Sequence, residues 1–171
     1  MIIAISKDVF CESNDGTLRL VDGAREFFDL AAKRHIKLLV LADTGASKGK
    51  QANQMLKFWK ARLQGIIPEY VTRLDVVGYP SGGLATRLRG NNVYLCVVMK
   101  CRDIEQVRGM TRTLIYDSED NRIPEFAGYE RAYNMWGVIE TVRSMFARVD
   151  RENIRRKRME REKRNARGAR R

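Results

Sequence analysis

Six polar side chains with the capacity for chemistry follow apolar stretches of this 171-residue chain. They are Ser6, Asp8, Thr44, Lys100, Asp117 and Asp120. Carboxylates can act as nucleophiles, acids, bases or metal ligands, whereas hydroxyl and ammonium groups can bind the oxygen atoms of an anion. If the apolar stretches are parallel strands, their carboxyl ends meet at one edge of a sheet, where α/β proteins bind ligands. We therefore expect these side chains to converge there.

The apolar stretches predict strands that are buried on both faces. Residues 2–5, 36–42, 92–99 and 113–116 lack the alternation of apolar and polar residues that marks a half-exposed strand. A further strand is predicted at residues 74–78. The sequence Asn14-Asp15-Gly16 predicts a turn that joins two short extended pieces.

The segments between these stretches predict helices. Apolar residues at helical spacing place helices at residues 24–35, with Asp22 as the N-terminal cap, and at about residues 48–63. Shorter helices are predicted near 68–73, after Gly83 and at 103–107. Strands that alternate with helices indicate a three-layer α/β domain of the Rossmann-like type with a mainly parallel sheet.

The order of the strand-end residues resembles the haloacid dehalogenase-like superfamily of phosphotransferases, and the spacing after Lys100 is most similar to its small C-terminal-domain phosphatase branch. The resemblance extends over roughly residues 1–125. In this superfamily the first strand ends in Asp-x-Asp, the second in Ser or Thr, a Lys follows, and acidic residues after the fourth strand hold magnesium. The resemblance implies an acid/base role for Asp8, phosphate contacts for Thr44 and Lys100, and Mg²⁺ ligation by Asp8, Asp117 and Asp120.

The first motif departs from this pattern at the position of the nucleophile. It reads Ile5-Ser6-Lys7-Asp8, so a serine stands where the attacking carboxylate should be. A serine hydroxyl needs a base, and the single histidine, His35, falls inside a predicted helix. Ala42 occupies the usual hydroxyl position of the second motif, and Thr44 follows two residues later. The resemblance therefore implies a catalytically degenerate protein, a pseudophosphatase.

Simpler interpretations of the same residues remain open. Asp117 and Asp120 could cap or solvate a loop instead of binding a metal. Lys100 could be a solvated lysine at a strand end, and Ser6 a capping hydroxyl. The expected cofactor is accordingly either none or Mg²⁺.

The C-terminal part of the chain predicts one long helix from about residue 129. Apolar residues from Tyr133 to Val149 recur every three or four positions, which indicates a helix with one packed side or a face for a partner helix. Pairs of opposite charge, Glu152 with Arg156 and Glu160 with Arg164, extend the helix beyond it. We expect three parts: an α/β domain at 1–128, a helix packed on it at 129–150, and a basic arm at 151–171.

The arm, residues 151–171, holds most of the positive charge of the protein. It carries +8 of the formal net charge of +12 and leaves +4 to residues 1–150. Its cations are Arg151, Arg155, Arg156, Lys157, Arg158, Arg161, Lys163, Arg164, Arg167, Arg170 and Arg171. Only three glutamates accompany them, so the arm favours a phosphate-rich partner. We expect nucleic acid, RNA rather than DNA, in a setting such as a ribonucleoprotein particle.

The remaining composition narrows the class of protein. Cys11, Cys96 and Cys101 form no CxxC pair, and with one histidine they make no zinc site. We expect thiols in a reducing intracellular compartment, and neither a signal sequence nor a membrane span. Two other functions stay open: a Mg²⁺-dependent phosphatase or nucleotidase that relies on Asp8, and an adaptor that binds protein partners through the 133–149 stripe. Exposure of Trp136 and Phe146 would favour the adaptor.

Overall fold

The computed structural model describes residues 1–45, 49–117 and 128–168, with side chains described as far as residue 162. The strands in chain order are β1 (Ile2–Ser6), β2 (Cys11–Asn14), β3 (Thr17–Leu20), β4 (Lys37–Asp43), β5 (Leu74–Tyr79), β6 (Leu95–Val98), β7 (Arg112–Tyr116) and β8 (Glu130–Ala132). The helices are α1 (Lys7–Phe10), α2 (Ala24–Lys33), α3 (Lys50–Gln64), α4 (Leu84–Leu88), α5 (Cys101–Val107) and α6 (Met135–Gly168).

Six strands form one parallel sheet in the order β5-β4-β1-β6-β7-β8, and β2 pairs with β3 as a separate antiparallel hairpin. Each neighbouring pair in the six-stranded sheet is parallel. The predicted three-layer α/β Rossmann-like fold, followed by a long C-terminal helix, is confirmed. The chain first moves outward from β1 through β4 to β5 and then crosses to β6. The switch point, where such folds bind ligands, therefore lies between the ends of β1 and β6.

The central strands have the burial that their continuous apolar sequence predicts. Ile3, Ala4 and Ile5 of β1 are fully buried, and so is every residue of β6. Both faces of these strands are covered, so burial on each face stabilises the sheet by about 25 cal/mol per Å² of apolar surface removed from water. The sheet thereby fixes the positions of the residues that follow its strands.

The first strand ends just after its apolar run, and a single turn of helix follows it. Ser6 is the last residue of β1, and Lys7–Phe10 form the single helical turn α1, so Asp8 lies on a helix and not on the strand. Val9 and Phe10 of this turn are buried. Their burial holds the backbone on which Asp8 is presented.

Two predicted helices differ from the structure: one does not form, and the other begins later. Residues 68–73 form turns, with the amide of Val71 donating to the carbonyl of Pro68 at 3.0 Å, and no helix forms there. Residues 130–132 form β8 against β7, so the long helix starts at Met135 and not near residue 129. Local composition favoured a helix at both places, but pairing with the sheet and the turn at Pro68 prevailed.

The packed stripe predicted for α3 is largely absent. Among its residues only Leu63 is buried, and Met55 is exposed. The helix packs closely on the sheet at Gly78 of β5, where a Cβ would lie 3.2 Å from Leu56. Away from this contact, most of its surface faces solvent.

Asp22 does not cap α2 as predicted. The cap position is Gly23, with φ of 77°, and no side chain caps the helix. A Cβ on Gly23 would lie 3.1 Å from Met135 and 3.2 Å from the Trp136 ring, so both the conformation and the close approach require glycine. Asp22 instead accepts a hydrogen bond from Trp136 Nε1 at 3.1 Å.

The chain divides into two compact units, Met1–Val138 and Ile139–Arg171. The first contains both sheets. In the second, Ile139, Val142 and Met145 are buried, whereas every residue from 151 to 162 is exposed. None of the helices among the described residues combines the length and the hydropathy that a membrane span requires.

Candidate functional site

Asp8 and Lys100 meet at the switch point of the sheet. Lys100 follows β6, and its Nζ lies 3.0 Å from Asp8 Oδ2. The neighbouring Lys7 also contacts Asp8, through Oδ1. Two residues separated by 92 positions of sequence are therefore in contact because β1 and β6 are adjacent parallel strands. The structure brings this part of the predicted site together.

Two further residues extend this contact, and sequence reasoning missed both. Asp43 ends β4, and its Oδ2 lies 3.8 Å from Lys100 Nζ and in contact with the guanidinium of Arg102. The amide of Gly45 donates to Asp43 Oδ1 at 2.7 Å and fixes the carboxylate. Their positions in the sequence could have indicated them: Asp43 comes directly after an apolar run, and Arg102 comes two residues after Lys100. We call Lys7, Asp8, Asp43, Lys100 and Arg102 the strand-end cluster.

Opposing effects set the pKa of Asp8. Burial raises the pKa of this carboxyl, but the hydrogen bonds and charges of Lys7 and Lys100 outweigh it and hold the pKa below its usual range. Asp8 is therefore ionised at neutral pH and is bound by cations. A carboxyl in that state is a poor donor of a proton to a leaving group.

Ser6, which the resemblance aligned with the nucleophile, is only 2% exposed. It is in register with Leu41 at the end of β1, inside the sheet layer. His35 follows the last turn of α2 and precedes β4, so it lies at the opposite end of the strands from Ser6 and does not supply a base there. The hydroxyl has neither the charge nor the access that attack on a phosphate ester requires.

Thr44 has a structural contact in place of the predicted phosphate contact. Its hydroxyl donates to the carbonyl of Tyr79 at 3.0 Å, and its amide donates to the same oxygen at 2.9 Å. Thr44 is buried and joins the ends of β4 and β5. Its hydroxyl proton is therefore already used within the protein.

Asp117 follows β7 and is bound by Arg131. Arg131 Nη1 lies 2.5 Å from Asp117 Oδ2, and the Asp117 amide donates to the carbonyl of Ala132 at 2.8 Å. Asp120 lies outside the described residues. Within those residues no group of three or more metal-binding side chains forms, and the carboxylates of Asp8 and Asp117 are held by cations. The predicted Mg²⁺ ligation by Asp8, Asp117 and Asp120 therefore stays a prediction.

A buried hydrogen-bonded pair, Tyr79 and Asp103, lies next to the strand-end cluster and was not predicted from the sequence. Tyr79 donates to Asp103 Oδ2 at 2.8 Å, and both side chains are buried. Burial raises the pKa of Asp103, although the hydrogen bond from Tyr79 lowers it in part. Arg102 Nε lies 3.9 Å from Asp103 Oδ1. This pair links the end of β5 to α5.

The arm is helical as far as Gly168, and its side chains from 151 to 162 are exposed. Arg148 Nε donates to Glu152 at 3.1 Å and Arg156 Nε to Glu160 at 3.2 Å. The predicted pair of Glu152 with Arg156 is therefore wrong, because each glutamate accepts from the arginine four residues before it. The side chains of Lys163, Arg164, Arg167, Arg170 and Arg171 lie outside the described residues.

The cations of the arm are distributed unevenly around the helix. Successive residues advance by about 100°. On that spacing one side of the helix carries five cations and a single acid, Glu162. The cations are Arg151, Arg155, Lys157, Arg158 and Arg161. Glu152, Glu160 and Arg156 occupy the other side. The cationic side therefore keeps a net positive charge, because Glu162 offsets only one of its five cations.

The apolar stripe at residues 133–149, which suggested an adaptor, is exposed only in part. Tyr133 and Trp136 are exposed, at 64% and 42%, and Phe146 is half-buried. The indole N–H of Trp136 donates a hydrogen bond to Asp22. The exposed aromatic side chains thus lie just before α6 and in its first turn, and they do not continue along it.

The three cysteines are in the thiol form, with Cys11 and Cys96 buried and Cys101 exposed. Burial raises the pKa of Cys11 and of Cys96 to about 12. These two thiols are therefore protonated at any physiological pH and unreactive.

No protein-family model matches this chain, and no curated protein matches it. Solved structures do. The chain is similar to an uncharacterized protein from Listeria monocytogenes serotype 4b, with a TM-score of 0.55, 12% identity, and 82% of this chain and 96% of that chain covered. It also matches a hypothetical protein from Pyrococcus horikoshii at a TM-score of 0.30 and 19% identity, over 66% of this chain and 40% of that chain. The first similarity supports the α/β fold alone, and the second carries no structural argument.

Proposed function

We propose that this chain is a catalytically degenerate haloacid dehalogenase-like protein that binds nucleic acid, RNA in preference to DNA, through its basic arm. In this proposal the α/β unit is a scaffold without phosphotransferase activity. A ribonucleoprotein particle is the simplest setting for such a protein. Further protein partners within the particle are part of the proposal.

The observation that carries the proposal is the exposed cationic side of α6. The five cations from Arg151 to Arg161 extend over about 15 Å of helix axis, at 1.5 Å per residue. A nucleic-acid backbone presents phosphates along such a length, and each contact releases condensed counterions. The arm can therefore bind any phosphate backbone without reading its sequence.

The state of the strand-end residues supports the loss of catalysis. Ser6 is buried and uncharged, and Asp8 is ionised and bound by Lys7 and Lys100. The superfamily route needs a carboxylate nucleophile and an acid that can release a proton. Neither group is available in this arrangement.

The preference for RNA is supported by the type of arm. Arginine-rich segments commonly bind folded RNA, where helices and single-stranded loops lie side by side. The sequence contains no recognisable base-reading module, so we expect recognition of backbone shape and charge.

The test is fluorescence anisotropy of the full chain with a labelled RNA duplex and the matching DNA duplex over a range of salt. The logarithm of the affinity should fall with the logarithm of salt at a slope between about −4 and −7, for about six to eight contacts at 0.7 to 0.9 each. The variant R155Q/R158Q should weaken RNA binding and reduce the slope by about 1 to 2. The matched control is R156Q, which removes a cation that Glu160 already binds. Binding that ignores salt would refute the proposal.

A second candidate is a magnesium-dependent phosphatase or nucleotidase that relies on Asp8. The contact between Asp8 and Lys100 favours it, because the resemblance assigns both residues to the active site. Hydrolysis of p-nitrophenyl phosphate with Mg²⁺ by the wild type, lost in D8N, would establish this function in place of the first.

A further inference from the structure

Helix α3 has a composition that its packing does not explain. It contains Lys50, Lys57, Lys60 and Arg62 and no acidic residue. The three lysines are exposed, and only Leu63 of the helix is buried. A solvated surface helix ordinarily mixes charges of both signs, since i,i+4 pairs of opposite charge stabilise it. This helix instead presents positive charge alone.

An exposed aromatic side chain lies among these cations. Phe58 is 46% exposed, and helical spacing of about 100° per residue separates it from the side of α3 that meets the sheet. A single exposed phenylalanine is ordinary on a protein surface. Because Phe58 lies on a helix with four cations and no acid, a partner that is both anionic and aromatic would suit this surface.

Cations and rings alternate from the strand-end cluster to this surface. The Nζ of Lys7 lies 4.0 Å from the centroid of the Trp59 ring, and the Trp59 and Phe58 rings are 5.2 Å apart in an edge-to-face arrangement. The guanidinium of Arg62 lies 5.3 Å from the Phe58 ring. These contacts limit the rotamers of Phe58, so little side-chain entropy would be lost when a flat group stacks on it.

One cation of the helix is already engaged. Arg62 donates to the carbonyl of Gly16 in the turn between β2 and β3. Its role is therefore to hold Phe58 and the hairpin. Of the three exposed lysines, Lys50 and Lys57 lie within about 100° of Phe58 around the helix, whereas Lys60 lies about 160° from it.

We propose that the exposed side of α3 formed by Lys50, Lys57 and Phe58 binds single-stranded nucleic acid. Phe58 stacks on an unpaired base, and the lysines contact the flanking phosphates. Positive charge alone would suit any polyanion, but an exposed ring among cations is the arrangement that single strands use, because every base has a face for stacking. The inference shares the nucleic-acid partner of the proposed function, but it concerns the other unit of the chain and requires unpaired bases.

The test uses the full chain and two labelled probes, oligouridylate and a blunt RNA duplex. F58A should weaken binding of oligouridylate by about 5- to 150-fold, the loss of one stacked base, and leave duplex binding unchanged. F58L keeps an apolar side chain without the ring and should also weaken single-strand binding. The matched control is Y94A, which removes an equally exposed ring, at 44%, from the residue before β6 on the same unit.

The charges of the surface are tested separately. K50Q/K57Q should reduce the salt slope for oligouridylate by about 1.4, at 0.7 for each contact to a single strand. Both lysines are exposed, so the fold should tolerate the changes. Circular dichroism of each variant checks this.

The outcomes separate this inference from the proposed function. If F58A and K50Q/K57Q bind oligouridylate like the wild type while R155Q/R158Q loses it, the inference fails and the function of the arm stands. If R155Q/R158Q binds both probes like the wild type while F58A loses oligouridylate, the arm is not the binding element and the inference stands. Equal loss of both probes in F58A, or an equal effect on a polyglutamate peptide, would overturn the stacking role.

Discussion

The strand-end cluster and the arm use the same kinds of side chain in opposite ways. In the cluster each cation contacts a carboxylate: Lys7 and Lys100 contact Asp8, and Arg102 contacts Asp43. In the arm, the two arginine–glutamate pairs involve exposed groups four residues apart on one helix. Pairing within a part-buried site fixes geometry, whereas unneutralised charge on an exposed helix attracts partners. Net charge alone therefore does not locate a binding surface.

Helix α3 stands between these two cases. Lys7 and Arg62, at the two ends of its aromatic pair, are held by Asp8 and by the hairpin, while its three lysines are exposed. The comparison suggests that binding follows exposure of cations and not their number.

The largest effect should come from removal of the arm. A chain that ends at residue 150 keeps a formal charge of only +4, so its affinity for an RNA duplex should fall at least about a hundredfold. Every residue from 151 to 162 is exposed, so the shortened chain should keep its thermal transition. Anisotropy and circular dichroism of the two chains measure both outcomes. If the shortened chain bound the duplex as tightly as the full chain, the arm would not be the binding element.

A smaller effect, on stability, should follow from D8N. The folded protein lowers the pKa of Asp8 below its ordinary value of 3.8, so the stabilisation is present above that pH and is lost as the pH falls through the folded pKa. D8N leaves Lys7 and Lys100 without their shared partner and should lower the free energy of unfolding by about 1 to 2 kcal/mol at pH 6. The difference from the wild type should shrink at pH 3. Urea unfolding at the two pH values measures it.

The control for D8N is D75N, in which an exposed carboxylate 2.8 Å from Lys37 is removed. Exposed pairs contribute little, so the change should stay below about 0.5 kcal/mol. An equal loss in both variants would mean that the cluster is no more than a set of surface charges.

The smallest effect should come from E152Q in the arm. Loss of the pair with Arg148 should lower the free energy of unfolding by about 0.3 kcal/mol, because both groups are exposed. Binding of RNA should strengthen slightly, since one negative charge is gone. Anisotropy at low salt detects this change, and weaker binding would show that Glu152 itself takes part in recognition.

The sequence was most informative where burial is complete. Strands β1, β4, β6 and β7 were predicted because a strand covered on both faces needs a continuous apolar run. The strand β8 was not, since Glu130-Arg131-Ala132 has no apolar pattern and forms only by pairing with β7. The turns at 68–73 also depend on contacts that local composition does not encode.

The candidate site was predictable only in part. Contact between Asp8 and Lys100 follows from the rule that parallel strands end at one edge. The roles of Asp43 and Arg102 depend on the order of β4, β1 and β6 in the sheet, which the sequence does not state. The burial of Asp103 depends on Tyr79, a partner 24 positions away. Long-range pairs of polar residues leave no periodic signal along the chain.

The distribution of the thiols gives the molecule a practical property. Cys101 is the one exposed cysteine of the three, and it lies between Lys100 and Arg102. Because the pKa of Cys11 and of Cys96 is about 12, a maleimide dye at neutral pH should couple to residue 101 alone. The native sequence therefore already offers a single labelling site for optical spectroscopy, with the chromophore at the switch point of the sheet and no cysteine to remove.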